Sequence, residues 1–310
     1  MSLKKQILSY IKATKYNIGF VEQDLESVIE GKPISVNWLR HSYKDRWFAD
    51  PFILDVTDDE IIVLVEEWYD PIQRGRISKL VVDKRTFQLK HLKVMIDEGI
   101  HLSFPAITRK ADGIYIQPEC GKTRGLVEYK YNAQQDTFEK QKVISDLPLA
   151  DSVRNSLFGE DLMFSTKLPD ANGKELGIYS WDEVTQQYQP RDFYHFQENI
   201  SRMAGNFFVC DGDIYRPAQV CIKWYGDAVS IQKVTCENEK WHFEEICRLF
   251  SPNHDLDLGF HTFNEYKGLI VVDALGYRRA KLCHLLKAIR SVFSGLAHIV
   301  IRNGSISDDE

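Results

Sequence analysis

A short motif recurs along this chain at intervals of roughly fifty residues, and this period constrains the fold more than any other feature. The motif is clearest as Ala-Asp-Pro-Phe-Ile at residues 49–53, with weaker copies at residues 103–107, 154–158, 203–207 and 261–264. Each copy precedes an acidic or glycine-containing turn and a second apolar run, a pattern typical of β-hairpins. A repeat of this length is typical of one four-stranded propeller blade, so the sequence predicts five blades around a common axis.

The two ends of the chain carry a different pattern. Apolar residues at helical spacing, flanked by lysines and arginines, predict a short amphipathic helix at each end. The predicted fold class is therefore an all-β, five-bladed β-propeller with short N-terminal and C-terminal amphipathic helices. The predicted segments are an N-terminal helix (1–16), the propeller (17–277), a C-terminal helix (278–298) and a flexible tail (299–310). A strand at 17–20 or at 34–38 is expected to complete the fifth blade and close the ring.

Composition and charge limit the classes of partner. The formal net charge is −6, which argues against a nucleic-acid partner. The six cysteines include no C-x-x-C spacing, and no other spacing of ligand residues indicates a metal or a cofactor site. Since neither a secretory signal nor a run of about eighteen apolar residues is present, the sequence predicts a cytoplasmic protein with free thiols.

Several short strings near the repeat heads carry a family resemblance. They are Ala49-Asp50-Pro51-Phe52, His101-Leu102-Ser103-Phe104-Pro105, Gln117-Pro118-Glu119, Ser201-Arg202-Met203-Ala204-Gly205, Tyr215-Arg216-Pro217-Ala218-Gln219 and Phe260-His261-Thr262-Phe263. These strings resemble the five-bladed β-propellers of the glycoside hydrolase clan that includes arabinanases, β-xylosidases and invertases. They resemble more closely the propeller domain of glucosamine inositolphosphorylceramide transferase-like proteins. The resemblance covers roughly residues 40–275.

The resemblance to the hydrolases implies roles for acidic residues on different blades. In that clan an aspartate on the first blade acts as base or nucleophile, which implies this role for Asp50. A second aspartate would fall near Asp151 or Asn155, and the acidic glutamate of a later blade would fall near Gly205, where this chain has no glutamate. Cleavage of a glycosidic bond needs one protonated and one ionised carboxyl group. Glu119 is the candidate acid, because apolar neighbours favour its protonated form.

Eight further polar residues at or near the repeat heads are predicted to bind substrate. They are Glu66, His101, Ser103, Arg154, Arg202, Arg216, Gln219 and His261. Alignment of the turns places Glu66, Glu119 and Lys167 at matching positions. His101 and His261 precede equivalent heads and are suited to donate to a sugar or to orient a carboxylate. The three arginines suit an anionic ligand such as a uronic acid or sugar phosphate, although pairing with internal carboxylates explains them equally well.

These residues predict a carbohydrate-active protein that binds a sugar, neutral or anionic, at the propeller axis. If the protein is catalytic, it cleaves a glycosidic bond with Asp50 as base or nucleophile. Two alternatives stay open: a non-catalytic glycan-binding propeller, and a glycosyltransferase partner in cytosolic polysaccharide or glycolipid assembly. The basic flank of the C-terminal helix fits either packing on the propeller or peripheral contact with an anionic membrane.

Overall fold

The computed structural model describes residues 13–121 and 125–286 of the chain. The strands, in chain order, are β1 (Thr14–Val21), β2 (Val36–Trp38), β3 (Arg46–Val56), β4 (Glu60–Tyr69), β5 (Arg74–Asp83), β6 (Leu89–Ile96), β7 (Ser103–Lys110), β8 (Gly113–Glu119), β9 (Leu126–Asn132), β10 (Thr137–Ser145), β11 (Leu149–Asn155), β12 (Leu162–Lys167), β13 (Glu175–Asp182), β14 (Gln187–His195), β15 (Phe208–Cys210), β16 (Asp213–Val220), β17 (Ala228–Glu237), β18 (Lys240–Leu249), β19 (Phe263–Tyr266) and β20 (Leu269–Tyr277). A short α-helix, α1 (Leu25–Ile29), lies between β1 and β2, and a 3₁₀ turn spans His254–Leu256.

The strands form the five blades of a β-propeller, each a four-stranded sheet. Blades 1 to 4 follow chain order and contain β3–β6, β7–β10, β11–β14 and β15–β18. The predicted hairpin turns are present. Asp211 and Gly212 have φ of 50° and 83°, and Lys267 and Gly268 have φ of 54° and 76°. Positive φ at both central residues is what a tight hairpin turn requires, so these turns set the strand pairing of their blades.

Blade 5 joins strands from the two ends of the chain, with the sheet order β19-β20-β1-β2. Both segments that the sequence offered for ring closure are used, because β1 covers 17–20 and β2 lies within 34–38. The two strands pair antiparallel, with Gly19 opposite Trp38. A side chain at Gly19 would meet Val36 at 2.4 Å, so glycine allows this close pairing.

The predicted terminal helices are not established by the described residues. Residues 14–16, which were predicted to end the N-terminal helix, belong to strand β1. Residues 280–286 are helical. Residues 1–12, the rest of the predicted C-terminal helix and the predicted tail lie outside the described residues. Among the residues that are described, no helix has the length and apolarity needed to cross a bilayer.

Large side chains fill the space between neighbouring blades. Phe52 of blade 1 and Phe104 of blade 2 meet edge to face, with ring centroids 4.9 Å apart, and both are buried. Packing of this kind accounts for much of the aromatic content of the sequence. Residues 16–275 form one compact unit, which contains all the predicted site residues.

Candidate active site at the propeller axis

A β-bulge interrupts the innermost strand of each of the first three blades. Asp50 in β3, Phe104 in β7 and Asp151 in β11 lie in these bulges, with φ of 49°, 45° and 48°. A left-handed backbone is unfavourable for residues other than glycine, so the surrounding structure must hold each bulge in place. The shared position also makes Asp151 the counterpart of Asp50 on blade 3.

An acidic side chain of the preceding blade accepts a hydrogen bond from the backbone amide of each bulge. Asp273 Oδ2 accepts from the amide of Asp50 at 2.9 Å, and Asp50 Oδ2 accepts from the amide of Phe104 at 3.0 Å. Glu119 Oε2 accepts from the amide of Asp151 at 3.1 Å. Because a buried N–H group must be paired, these acids link neighbouring blades as well as supplying charge.

His261 lies between two carboxylates of this network. Its Nδ1 is 2.7 Å from Asp273 Oδ1, and its Nε2 is 3.3 Å from Asp50 Oδ1. Burial is the largest single effect and opposes the imidazolium, but the charge and hydrogen bond of Asp273, together with the charges of Asp50 and Asp151, outweigh it and raise the pKa of His261 to about 9. Burial raises the pKa of Asp50 to about 6, although His261 acts in the opposite direction. At neutral pH the group is therefore a cationic imidazole flanked by two acids.

Asp50, His261 and Asp273 offer ligand atoms of the types that bind metal ions. One ligand atom from each of Asp50, His261 and Asp273 lies within 4.8 Å of the others. A metal needs a neutral imidazole with a free nitrogen lone pair. The raised pKa of His261, with a carboxylate at each ring nitrogen, favours a proton there. The residues therefore do not fit a resident metal ion.

Arg202 and Gln219 of blade 4 reach toward the acids of blades 2 and 3. Arg202 Nε donates to Asp151 Oδ2 at 2.6 Å, and its Nη2 donates to Glu119 Oε2 at 3.1 Å. The remaining nitrogen, Nη1, donates to Asn172 at 3.0 Å. Gln219 Nε2 also donates to Asp151 Oδ2, at 2.6 Å. All three guanidinium nitrogens of Arg202 are therefore occupied within the protein.

The pKa of Glu119 rises to about 8. Burial is the main cause, and the charge of Asp151 adds to it, while Arg202 acts in the opposite direction. The carboxyl of Glu119 is therefore largely protonated at neutral pH.

Glu66 occupies on blade 1 the register position that Glu119 occupies on blade 2. Its side chain is buried, and His101 Nε2 lies 3.7 Å from its Oε1, beyond hydrogen-bonding distance. His101 Nδ1 accepts from the amide of Gly75 at 2.9 Å, and burial lowers the pKa of this imidazole, so it is neutral. Burial, with repulsion from Asp50, raises the pKa of Glu66 well above its ordinary value.

The acids and bases described so far form an axial cluster. Its members are Asp50, Glu66, Glu119, Asp151, Asp273, His261 and Arg202.

An aromatic row, consisting of Tyr16, Trp47 and Trp68, runs beside the axial cluster. Tyr16 stacks on His261 with centroids 4.7 Å apart, and Trp47 follows at 5.3 Å from Tyr16. Trp47 and Trp68 stack within 3° of parallel at 5.5 Å, and Trp68 lies 6.1 Å from His101. All three residues of the row are partly exposed. The row therefore gives the cluster an aromatic border from His261 to the neighbourhood of His101.

Tyr225 borders the cluster from the loop between β16 and β17. Its ring meets His261 edge-on at 5.4 Å, and the guanidinium of Arg202 lies 5.0 Å from the ring centroid. Burial raises the pKa of its hydroxyl well above the ordinary value, and 39% of the residue is exposed. At the next position, Gly226, a side chain would come within 2.6 Å of His261.

Two of the three predicted binding arginines are not part of the axial cluster. Arg154 Nε donates to Tyr188 at 2.7 Å, and the guanidinium also pairs with Glu128. Arg216 is fully buried, bonds Gln232 at 2.7 Å, and has a pKa lowered to about 9 by burial. Because Gln219 reaches the cluster from the same strand, Arg216, three residues away, faces the opposite side. The prediction that several arginines converge at the axis is therefore wrong, since Arg202 alone of the three belongs to the axial cluster.

The register of the paired strands also corrects the predicted alignment of the turns, which placed Glu66, Glu119 and Lys167 at matching positions. Glu66 pairs with Ala49, and Glu119 pairs with Ser103, which is buried at the start of β7. The matching pair on blade 3 is Ala150 and Thr166, so Lys167 lies one residue beyond the predicted position and is exposed. An offset of one residue moves a side chain to the other face of a strand.

Several residues of this region were not predicted from the sequence. They are Tyr16, Trp47, Trp68, Tyr225, Thr262 and Asp273. Asp273 could have been predicted from its position, since it ends the apolar run 269–272 much as Glu119 ends the second strand of blade 2. The aromatic residues could not, because aromatic side chains occur throughout the sequence as core residues.

Comparison with known proteins assigns the chain to a family. The family model for the N-terminal region of glucosamine inositolphosphorylceramide transferase 1 matches residues 35–257. This chain belongs to that family. A glucosamine inositolphosphorylceramide transferase 1 from Oryza sativa subsp. japonica is 27% identical over 203 residues, covering 62% of this chain and 27% of the relative. The relative of the same name from Arabidopsis thaliana is 26% identical over 198 residues, covering 61% and 25%. The family member described here thus spans about a quarter of these relatives.

Solved structures with a similar fold are more distant in sequence. A bifunctional GH43-CE protein of Bacteroides eggerthii has a TM-score of 0.46 and 11% identity, covering 72% of this chain and 28% of that protein. A family 117 glycoside hydrolase from the marine bacterium Zobellia galactanivorans has a TM-score of 0.48 and 8% identity, covering 86% and 91%. At these identities the likeness concerns the fold alone.

Proposed function

We propose that this chain binds a carbohydrate at the axial cluster. The observation that carries the proposal is the aromatic row beside a buried group of acids that includes both ionised and protonated carboxyls. Flat rings pack against the apolar face of a sugar ring, while carboxyl groups and imidazoles hydrogen-bond its hydroxyls. A site of mixed aromatic and polar character is suited to such a ligand.

The family indicates the process in which this carbohydrate binding takes place. The curated relatives are named as transferases of a sugar-containing lipid, and the region shared with this chain is about a quarter of their length. We therefore place the propeller in carbohydrate or glycolipid assembly, where it holds a sugar for a transferase. The glycosyltransferase partner was one of the two alternatives that the sequence left open.

A glycan array with purified protein, followed by titration calorimetry on the best ligand, tests the binding. Trp68→Ala removes part of the aromatic row and should weaken binding about fivefold, because a ring contact of this kind is worth roughly 1 kcal/mol. Phe193→Ala, at an exposed aromatic residue on the outermost strand of blade 3, is the matched control and should bind as the wild type does. The proposal fails if the array shows no ligand, or if both variants bind equally well.

Cleavage of a glycosidic bond is the second candidate function. The observation that favours it is the unequal protonation of two axial carboxyls, since the pKa of Glu119 is raised to about 8 and that of Asp50 to about 6. Between these values Glu119 can donate a proton while Asp50 is ionised and acts as base or nucleophile. Both oxygens of Asp50 also accept hydrogen bonds within the protein, from Phe104 N and the Thr262 hydroxyl.

Product release from the bound glycan distinguishes the two functions. An enzyme should show a bell-shaped rate profile that falls below about pH 6 and above about pH 8, because Asp50 must be ionised and Glu119 protonated. Glu119→Gln should abolish turnover while binding persists. If the wild type binds the glycan but releases no product between pH 6 and pH 8, cleavage is rejected and binding is the function that remains.

A further inference from the structure

A cavity of about 700 Å³ lies at the opposite end of the inner strands from the axial cluster. Its wall includes Lys110 and Asn155, the last residues of β7 and β11. Lys110 is six residues beyond Phe104, the bulge residue of the same strand, which places the two roughly 20 Å apart at the rise of a β-strand. The cavity is therefore a separate place in the propeller, and the proposed carbohydrate binding does not involve it.

Arg109 in the wall of this cavity is a guanidinium without an acid in contact. Its Nη2 donates to the carbonyl groups of Ile53 and Leu54 at 2.8 and 3.0 Å, and the ring centroid of Tyr266 is 3.7 Å from Cζ. Among the described residues no carboxylate forms an ion pair with Arg109. Burial lowers its pKa, with Tyr266 acting in the opposite direction. An arginine stays protonated in a protein, so this positive charge is available to a ligand.

Two further cations in the wall share one buried carboxylate. Arg154 pairs with Glu128, and Lys110 Nζ is 3.6 Å from the same Glu128 oxygen. Asp161 accepts from Arg154 at 3.4 Å. With Arg109, these five charged groups comprise three cations and two acids. The group therefore has one positive charge in excess.

The wall of the cavity also contains apolar surface and unsatisfied amides. Leu157 is 44% exposed, and Ile107 and Phe207 are buried. Among the described residues, Asn155 Nδ2 and Asn206 Oδ1 are buried without a hydrogen-bond partner. Groups of this kind are normally satisfied by water or by a ligand, so the hydrogen bonds at this end of the propeller are not completed within the chain.

We propose that this cavity binds an organic monoanion, a carboxylate attached to an apolar group. The carboxylate contacts Arg109 and Lys110, and the apolar group lies against Leu157. A carboxylate matches the planar fork of a guanidinium and balances the single excess charge. A phosphate monoester brings a second negative charge for which the group has no cation, so it fits less well. The inference goes beyond the proposed function, because it concerns another site and another class of ligand.

Four small fluorinated probes test the ligand class. They are 4-fluorophenylacetate, the neutral 4-fluorophenylacetamide, fluoroacetate, which lacks the ring, and 4-fluorophenyl phosphate. Fluorine NMR titration of the full chain should show 4-fluorophenylacetate binding at least about tenfold more tightly than the amide or fluoroacetate, and more tightly than the phosphate. If the amide or fluoroacetate binds as tightly as 4-fluorophenylacetate, or the phosphate binds more tightly, the proposed ligand class is wrong.

Two variants test the location. Arg109→Gln should weaken the binding of 4-fluorophenylacetate at least about tenfold. Arg109 also joins blades 2 and 1 through its carbonyl contacts, so Lys110→Gln, at a side chain that is 36% exposed, is the second variant and should weaken binding about threefold.

The control is Lys240→Gln, which removes a positive charge from an exposed residue of β18 and should bind as the wild type does. Wild-type affinity in either cavity variant, or a loss of affinity in Lys240→Gln, would show that the anion binds elsewhere. The glycan array decides the carbohydrate proposal separately.

Discussion

The charge of His261 depends on neighbours from the same blade and the next one. Asp273 contacts Nδ1 and Asp50 faces Nε2, so the proton is stabilised at both ring nitrogens. Tyr16 and Tyr225 pack against the ring, and their hydroxyl pKa values are raised well above the ordinary value, so they stay neutral in the range where His261 titrates. A buried imidazolium of this kind contributes to stability only while it is protonated.

We expect the stability of the protein to fall between pH 7 and pH 10. The pKa of His261 is about 9 in the folded chain, above its ordinary value, so its contribution is complete below about pH 6.5 and is lost as the pH rises through 9. The loss should be on the order of 2–3 kcal/mol in the free energy of unfolding, measured by urea denaturation. His261→Gln should flatten this dependence, whereas His242→Gln, at an exposed histidine, should not. If the stability of His261→Gln falls as much as that of the wild type over this pH range, the dependence does not come from His261.

At the scale of the strands, neighbouring blades meet at a few close backbone contacts. Phe263 N donates to Ala204 O at 2.8 Å between blades 5 and 4. Asn264 accepts from the amide of Asn206 at 2.7 Å and donates to Pro51 O at 2.9 Å, so one side chain links blades 4, 5 and 1. These contacts fix the distances between blades and hence the shape of the axial cluster.

Gly205 lies at the closest of these contacts, because a Cβ there would be 2.0 Å from the backbone oxygen of Phe263. Gly205→Ala must push two blades apart, and we expect it to lower the free energy of unfolding by about 2–3 kcal/mol. Gly268→Ala is the control, since its side chain would meet nothing within 4 Å and only its φ of 76° is unfavourable, at a cost of about 1 kcal/mol. If urea denaturation shows that Gly205→Ala loses less free energy of unfolding than Gly268→Ala, the blades are not held at a fixed separation.

For the whole molecule, closure of the ring makes the N-terminal strands part of the common core. Phe20 of β1 is 1% exposed and belongs to a buried cluster with Phe48 of blade 1 and Val271 of β20. These three residues are far apart in the sequence. Because β1 completes the last blade, the propeller should unfold as one cooperative unit.

Phe20→Ala should therefore destabilise the entire propeller by about 3–5 kcal/mol, the usual cost of deleting a large buried side chain. Circular dichroism and tryptophan fluorescence should report one shared, shifted thermal transition. Val184→Ala, at a residue that is 92% exposed, should change little. Two separate transitions in Phe20→Ala would show that the N-terminal strands detach while the remaining blades stay folded.

Much of the site could be predicted from the repeat heads. Asp50 and His261 stand at the first and last heads, and the predicted convergence of the blades brings them within 3.3 Å of each other. The roles of Arg154 and Arg216 could not be predicted, because a repeat locates a strand but does not say which face each side chain occupies. Asp273 and the aromatic row depend on contacts between blades, for which the local sequence has no distinct pattern.

The sequence by itself determined the strands, the hairpin turns and the number of blades, because apolar alternation and turn residues act over a few neighbouring positions. The tertiary structure decided which partners the acids have. Asp50 accepts from the amide of Phe104 because the bulges of two neighbouring blades face each other, whereas Glu66 lies 3.7 Å from His101 Nε2. The charge of the site is thus set by contacts between blades, which exist only once the ring has closed.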